Sequence, residues 1–372
     1  MHVFSSSLLL LLGLLLLVSP STSAPQRLRR PGRTGNGSGN GNGNGNGNRN
    51  GNGQTAQTGR GGRGAINAAN PGVNAAFDGT PVGTVKTGTA TDGSTVLDKT
   101  VLLNGLPIRY RVSGPASQFK AASGIQVATA AANQTGTMGI NVLLHGDGGQ
   151  SFFDFPNQAV QQNLMGVVAL APDPNLFWGG GSGANRVDGV AHSAAVNALI
   201  TQELPKVIAF DQSQTFFTGV SGGALLLSGF YVPAFMSQFK TGVLLNCGAL
   251  PPQVPFKDAA ATLSATTIHY QSTQQELALI QEQLPLTITA YEDLAAQAGL
   301  STAQINALQT VNNSPNGGHC EFDEQGFVSG IQLMADNYAN VIQAGGNGQV
   351  TGIGNVKQGV VGNENLAFSG AT

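Results

Sequence analysis

The chain has 372 residues, 53 of them glycine, and only 10% of its residues are charged. Its formal net charge of −2 combines two unlike parts, because residues 1–72 contain seven arginines and no acid. The other 300 residues contain ten bases and 19 acids, a net charge of −9, which excludes a basic nucleic-acid-binding body.

The N-terminus has the order of a secretory signal peptide. An 11-residue apolar run, Leu8 to Val18, is followed by small polar residues. This run is too short for a bilayer span, which needs about 20 apolar residues. We therefore expect residues 1–24 to be removed and the mature protein to be secreted and extracellular, with no membrane contact afterwards.

Residues 25–72 form a basic leader of Gly-Asn pairs, with almost no side chain that could bury apolar area. We expect it to be disordered, because it cannot offset the entropy lost on ordering. Its role stays open between a solvated spacer, a pro-segment cut near Arg29, and a basic arm that contacts anionic polysaccharide. A weaker Gly/Asn bias returns in the C-terminal segment, residues 344–372.

Cys247 and Cys320 are the only two cysteines of the chain. In an exported protein an even pair favours a disulfide over free thiols, so we predict one bridge between them. Secretion also makes the Asn-x-Ser/Thr sequences at Asn36, Asn133 and Asn312 candidate glycosylation acceptors.

Residues 73–343 are predicted to form one α/β domain. Residues 96–112 contain two strand-like runs around Asn104-Gly105, which predicts an N-terminal antiparallel hairpin. Short apolar runs then alternate with helix-like stretches, a pattern typical of a mostly parallel central sheet with helices on both faces. The predicted strands are 140–144, 167–171, 215–219, 242–246 and 266–270, and the clearest amphipathic helices are 191–204 and 327–342.

The sequence Gly219-Val220-Ser221-Gly222-Gly223 follows one of these strands and precedes an apolar stretch that can begin a helix. This is the strand-turn-helix setting of a nucleophile elbow, in which a β-carbon at position 219 or 223 would collide with the neighbouring backbone. We therefore predict that Ser221 is a nucleophile and that the backbone N–H of Gly222 faces a developing oxyanion.

A second Gly-rich element, His145-Gly146-Asp147-Gly148-Gly149, follows the strand at 140–144. In a parallel sheet the carboxyl ends of the strands face one crevice. We predict that the loop at Gly146-Asp147 presents the second N–H donor to the oxyanion, which requires the carboxylate of Asp147 to point away from the oxyanion.

A serine nucleophile needs a positioned proton acceptor. His145 lies in the oxyanion loop, His192 precedes Ser221 in the chain, and His269 lies inside an apolar strand. His319, on a Gly-rich loop before the last helix, is therefore the predicted base in the chain order Ser, acid, His.

The acid that orients this base should follow the strand at 266–272. Glu276 is the first choice, and a Ser-His dyad without an acid remains an alternative. The other carboxylates between Ser221 and His319 also remain alternatives: Asp258, Glu282, Glu292 and Asp293.

Trp178, the sole tryptophan, lies in the loop after the strand at 167–171. We predict that it stacks on an acyl, sugar or phenolic group of the substrate, with core packing as the alternative. No metal or organic cofactor is predicted, because two widely separated cysteines do not form a zinc pattern.

With these motifs, residues 96–342 resemble the α/β-hydrolase superfamily. More narrowly, they are similar to its secreted esterases of the polyhydroxybutyrate depolymerase and feruloyl or acetylxylan esterase kind. The resemblance implies an α/β-hydrolase fold with Ser221 as nucleophile, His319 as base, and Asp147 and Gly222 as oxyanion donors. The chain departs from the pattern after the strand at 266–272, where such esterases carry Asp and this sequence has Gln274 and Gln275.

The predicted function is hydrolysis of a carboxylic ester by acyl transfer in a monomeric enzyme. The expected substrates are polyesters or esters linked to plant or microbial polymers. Two alternatives stay open: a secreted serine peptidase or lactonase, and a non-catalytic wall- or matrix-binding protein on a hydrolase scaffold.

Overall fold

The computed structural model describes residues 74–154, 160–161, 163–343, 346–354 and 357–370. Within these residues the strands are β1 Val85–Thr89, β2 Thr95–Leu103, β3 Leu106–Gly114, β4 Gly139–Leu144, β5 Val160–Gln161, β6 Leu164–Ala169, β7 Thr215–Val220, β8 Gly242–Asn246, β9 Thr267–Gln271, β10 Gln309–Asn312 and β11 Gln358–Gly359. The α-helices are α1 Gln150–Asp154, α2 Gly189–Ala198, α3 Leu204–Val207, α4 Gly222–Leu226, α5 Val232–Phe235, α6 Ala259–Leu263, α7 Ala278–Gln297, α8 Thr302–Leu308, α9 Phe327–Ala335 and α10 Tyr338–Val341.

All described strands belong to one sheet, in the order β1-β2-β3-β6-β4-β7-β8-β9-β10-β11, with β5 beside β6. The strands from β6 to β10 in this order are parallel, and β1, β2 and β3 add an antiparallel edge. The mostly parallel sheet predicted from the sequence is therefore confirmed. The strand β7 lies at its centre, which places the residue after β7 in the middle of the crevice at the carboxyl ends.

The predicted hairpin is formed by β2 and β3, which pair from Thr95 with Gly114 to Leu103 with Leu106. Asn104 and Gly105 make the turn with φ values of 50° and 80°. A two-residue turn with both φ values positive matches the right-handed twist of the flanking strands.

Hydrophobic cores cover both faces of the sheet. Along β4, Val142 and Leu144 belong to one core and Leu143 to the other, as the two-residue period of a strand requires. The first core also contains residues of α2, α4, α5, α6 and α7, and the second contains residues of α1, α9 and α10. Helices on both faces are thus confirmed.

Both predicted amphipathic helices are interrupted. Within 191–204, a π-helical turn at Leu199–Glu203 precedes Pro205, which has no N–H for a regular helical bond. The helix predicted at 327–342 breaks at Asn337, whose side-chain amide donates to a carbonyl four residues earlier at 2.8 Å. A local side-chain bond of this kind competes with the helix.

The described parts of residues 346–370, here called the C-terminal strap, lie along the β10 edge of the sheet. The strap contains β11, which pairs with Thr310 and Val311 of β10. Its buried apolar side chains are Val350, Ile353 and Val360. The segment therefore buries apolar side chains in spite of its Gly/Asn bias.

One of the predicted glycosylation acceptors, Asn312, is wrong because the strap covers it. Asn312 is only 2% exposed, and its side-chain amide donates to the carbonyl of Gly354 in the strap at 3.2 Å. A buried amide with this partner is closed to glycosylation. Asn133 lies in an exposed turn, whereas Asn36 lies outside the described residues.

The predicted signal peptide and leader lie outside the described residues. In the part of the chain that the structure does describe, we find no helix that is both long enough and apolar enough to cross a membrane.

Candidate active site

Ser221 lies at a sharp turn between β7 and α4. Its backbone has φ 48° and ψ −115°, a conformation that costs energy for a residue with a side chain. A β-carbon on Gly219 would lie 2.5 Å from the Cα atom of Ala224, and one on Gly223 would collide with the carbonyl oxygen of Leu144. The close approach predicted for the elbow is present, and it leaves Ser221 half-buried at the end of the central strand.

Ser221, His319 and Glu276 form a hydrogen-bonded chain. The Nε2 atom of His319 lies 2.9 Å from Ser221 Oγ, and its Nδ1 atom is bonded to Oε1 of Glu276. A carboxylate only accepts, so Nδ1 carries the proton and Nε2 is free to accept the serine hydroxyl. The structure thus brings the predicted nucleophile, base and first-choice acid together.

Glu276 is oriented by its own neighbours. Its side chain has no exposed surface; Oε2 accepts from Ser272 Oγ at 3.3 Å and Oε1 accepts from the backbone N–H of Leu277 at 3.0 Å. Asp258 instead caps α6 by accepting from a backbone N–H. The remaining carboxylates considered from the sequence lie on α7: Glu282, Glu292 and Asp293.

The loop that carries Glu276 is hydrogen-bonded to the loop that carries the base. The backbone N–H of Gln274 donates to the carbonyl of Pro315 at 2.8 Å, and Thr273 Oγ1 donates to that of Gly318 at 3.0 Å. The departure from the esterase pattern therefore has a structural account. Gln274 binds the histidine loop through its backbone, and the acid follows two residues later with a side chain one methylene longer than Asp.

Cys247 and Cys320 form the predicted disulfide, with their Cα atoms 5.3 Å apart. Cys320 directly follows His319, and Gly248, after Cys247, packs so closely that a β-carbon there would lie 2.7 Å from the carbonyl oxygen of Ser221. The sulfurs and a His319 ring nitrogen lie within 4.8 Å of one another. Because the sulfurs are bonded to each other, they offer no thiolate to a metal.

Removing this disulfide is expected to weaken both the fold and the site. In the chain-entropy model, a bridge between residues 73 positions apart stabilises by about 4 kcal/mol. The double variant Cys247→Ala/Cys320→Ala should therefore unfold at lower urea concentration, and its kcat should fall because His319 loses its adjacent anchor.

Urea titrations and initial rates at 25 °C would measure the two effects of removing the bridge. Wild-type protein treated with a reducing agent is the matched comparison, because the chain has no other cysteine. An unchanged urea midpoint in both samples would contradict the stabilising role.

The predicted oxyanion donors lie beside Ser221. The loop after β4 passes over Ser221, since a β-carbon on Gly146 would lie 3.4 Å from Ser221 Cβ. Gly222 opens α4, and N–H groups in the first turn of a helix have no intrahelical acceptor. A β-carbon on Gly222 would collide with Oδ1 of Asp147. Glycine is therefore required at position 222, where the two predicted donor residues meet.

A salt bridge that sequence analysis missed holds the carboxylate of Asp147. Arg186 donates to Oδ1 of Asp147 at 2.8 Å and to Oδ2 at 2.7 Å. The side chain of Arg186 is 1% exposed and that of Asp147 is 26% exposed. The partners are 39 residues apart in sequence. The one sequence feature that points to this salt bridge is the position of an arginine in a Gly-rich loop at the carboxyl ends of the strands.

Three histidines serve as structural residues. The Nε2 atom of His145 accepts from the backbone N–H of Ala171 at 2.9 Å, so Nδ1 donates to the carbonyl of Gly146 at 2.7 Å. Burial lowers the pKa of His145 to about 4, which keeps it neutral near pH 7. Burial also lowers the pKa of His192 and His269. His145 therefore links the loop after β4 to the residues after β6.

The prediction that Trp178 stacks on the substrate is wrong. Its side chain has no exposed surface, and its ring packs against the rings of His145 and His192, with centroids 5.4 and 6.2 Å away. A fully buried indole has no face left for a substrate. The alternative, core packing, holds for Trp178.

The elbow after the central strand β7, the Gly-rich loop after the neighbouring strand β4 and the histidine loop after β10 lie on a mostly parallel sheet with helices on both faces, and this arrangement identifies the architecture. The chain adopts the α/β-hydrolase fold. No family model matches the sequence, and no curated protein matches it.

Solved structures with similar folds include esterases and a peptidase. An arylesterase is 9% identical with a TM-score of 0.40, over 69% of this chain and 83% of its own. A ferulic acid esterase is 13% identical with a TM-score of 0.38, over 65% and 96%. Oligopeptidase B from Leishmania major is 12% identical with a TM-score of 0.34, over 68% and 35%. Likeness at this level carries no argument about the substrate.

Proposed function

We propose that the protein is a secreted serine hydrolase that cleaves carboxylic esters by acyl transfer. The observation that carries the proposal is the chain of contacts from Ser221 Oγ through His319 to the buried carboxylate of Glu276. A serine hydroxyl is a weak nucleophile at neutral pH, and an adjacent oriented base is the arrangement that activates it.

In the proposed reaction, Ser221 Oγ attacks the ester carbonyl while His319 Nε2 takes the hydroxyl proton. The buried carboxylate of Glu276 stabilises the imidazolium that forms. The negative charge on the carbonyl oxygen is stabilised by the backbone N–H groups of Asp147 and Gly222. His319 then donates its proton to the departing alcohol. In the second half-reaction water attacks the acyl carbon while His319 Nε2 takes its proton, the bond to Ser221 Oγ breaks, the carboxylic acid leaves, and the proton returns to Ser221 Oγ.

The wider parts of the proposal depend on the sequence. The apolar N-terminal run and the disulfide support secretion, since disulfides persist in oxidising compartments. Esters of extracellular polymers or polyesters are the proposed substrates, and this choice follows the esterase resemblance of residues 96–342. The basic leader is proposed to contact anionic polysaccharide.

Covalent labelling tests the proposal. A fluorophosphonate probe should modify Ser221, identified by mass spectrometry of the labelled peptide, because the probe needs an activated serine and an oxyanion site. Heat-unfolded protein is the control and should not react. Labelling at another residue, or none in folded protein, would overturn the serine mechanism.

Substrate panels separate the remaining functions. We expect short p-nitrophenyl esters to be hydrolysed and peptide anilides to remain intact. Cleavage of the anilides would favour a peptidase. Polysaccharide binding without any turnover would favour the non-catalytic alternative.

A further inference from the structure

The buried guanidinium of Arg186 connects two loops of the site. In addition to its two hydrogen bonds to the carboxylate of Asp147, Arg186 donates from Nε to the carbonyl of Gly183 at 2.9 Å and from Nη1 to the carbonyl of Trp178 at 3.1 Å. The side chain is 1% exposed. A cation buried to this extent requires partners for its charge and its donors, and here both are supplied.

The carboxylate that Arg186 holds lies beside Gly222, one of the two proposed oxyanion donors. Oδ1 of Asp147 lies against Gly222, the residue after the nucleophile, so closely that a β-carbon on Gly222 would collide with it. The backbone N–H of Asp147 itself is one of the proposed oxyanion donors. An unpaired carboxylate at this place would repel the oxyanion, because like charges a few ångströms apart disfavour each other.

We propose that Arg186 is a positioning residue of the oxyanion hole. It keeps the carboxylate of Asp147 paired and fixed, so that the backbone N–H of Asp147 can be donated to the oxyanion without an unpaired negative charge beside it. This role rests on the proposed serine mechanism. It also explains how a carboxylate is tolerated in an oxyanion loop.

The planar fork is the part of Arg186 that matters in this role. Arginine binds both carboxylate oxygens in one plane, which fixes the direction of the carboxylate as well as its charge. Lysine would supply a point charge without that direction. The carbonyls of Trp178 and Gly183 in turn fix the guanidinium, so the orientation is set by three separate acceptor groups.

A double-variant experiment tests this role. Arg186→Met should lower kcat by about 10- to 100-fold, up to the loss seen when one oxyanion donor is removed, with KM changed by less than about threefold. Arg186→Met/Asp147→Asn should regain about tenfold of kcat, since the carboxylate that opposes the oxyanion is gone. The rate of fluorophosphonate labelling of Ser221 should follow kcat in each variant.

Two further variants separate positioning from general stability. Arg186→Lys keeps the positive charge and should retain more activity than Arg186→Met. If the Arg186→Met variant does not fold, the Arg186→Lys variant is used in its place. The control variant Arg109→Met removes a similar pair of hydrogen bonds, from Arg109 to both carboxylate oxygens of Asp98. The side chain of Arg109 is 11% exposed and that of Asp98 is 13% exposed. This variant should lower the thermal midpoint and leave kcat within about twofold.

The outcomes distinguish the inference from the proposed function. If wild-type Ser221 is labelled and turns over esters while Arg186→Met keeps kcat within about twofold, the role of Arg186 is overturned and the hydrolase stands. A double variant as slow as Arg186→Met also overturns the role. Failure of wild-type labelling overturns the proposed function itself.

Discussion

Replacing Ser221 with alanine is expected to lower kcat for ester hydrolysis by roughly 10⁶-fold, the scale of loss when a catalytic serine is removed. Without Oγ, His319 has no proton to accept and the acyl-enzyme cannot form. The oxyanion donors remain, so residual hydrolysis should still exceed the rate in water by roughly 10³- to 10⁴-fold. Burst-phase measurements with p-nitrophenyl acetate would show both the lost turnover and the lost burst.

The matched control for this variant is Ser264→Ala. Ser264 is exposed at the end of α6, and its hydroxyl donates only to a helix carbonyl. We expect its kcat to equal that of the wild type. Turnover by the Ser221→Ala variant at more than a few per cent of the wild-type rate would mean that another group is the nucleophile.

Replacing Glu276 with glutamine is expected to lower kcat by about 10⁴-fold, as when the orienting carboxylate of a triad becomes an amide. The amide N–H would donate to His319 Nδ1, which moves the ring proton to Nε2. In that tautomer Nε2 cannot accept the proton of Ser221. The loss therefore comes from the wrong tautomer as well as from the missing charge.

This second prediction decides between a triad and a Ser-His dyad. Glu282→Gln is the matched control, because Glu282 is an exposed glutamate on the neighbouring helix α7. Its kcat should equal that of the wild type. If the Glu276→Gln variant keeps more than a tenth of wild-type kcat at equal thermal stability, Glu276 is not the orienting acid.

The elbow and the base could be predicted for two different reasons, the first of which is a local backbone requirement. Glycines at 219 and 223 are needed where strand and helix almost touch, and only Gly tolerates that approach. His319 followed from chain order, since the other mature histidines precede Ser221 or lie in a strand. The glycine requirement acts within a few residues, and chain order needs no geometry, so both can be read from the sequence although His319 lies 98 residues from Ser221.

Side-chain direction and distant pairing could not be predicted in the same way. Trp178 occupies a crevice-side loop in the sequence, but its indole turns inward because the rings of His145 and His192 form a buried site for it. Arg186 pairs with Asp147 only because two loops meet in the folded chain. Neither the hydrophobic periodicity nor the number of charges in the sequence predicts that these two loops are in contact.

The C-terminal strap has a consequence for how the chain should be divided. An unpaired edge strand is a template for association with other chains, and β11 occupies part of the edge that β10 would otherwise present. The strap also reaches the acid loop, where the backbone N–H of Ser369 donates to the carbonyl of Gln274 at 2.8 Å. The Gly/Asn-rich composition of the strap suggests a dispensable tail, but the strap pairs with part of the sheet edge and contacts the loop of Glu276. A domain boundary drawn at residue 343 would therefore cut through the folded body.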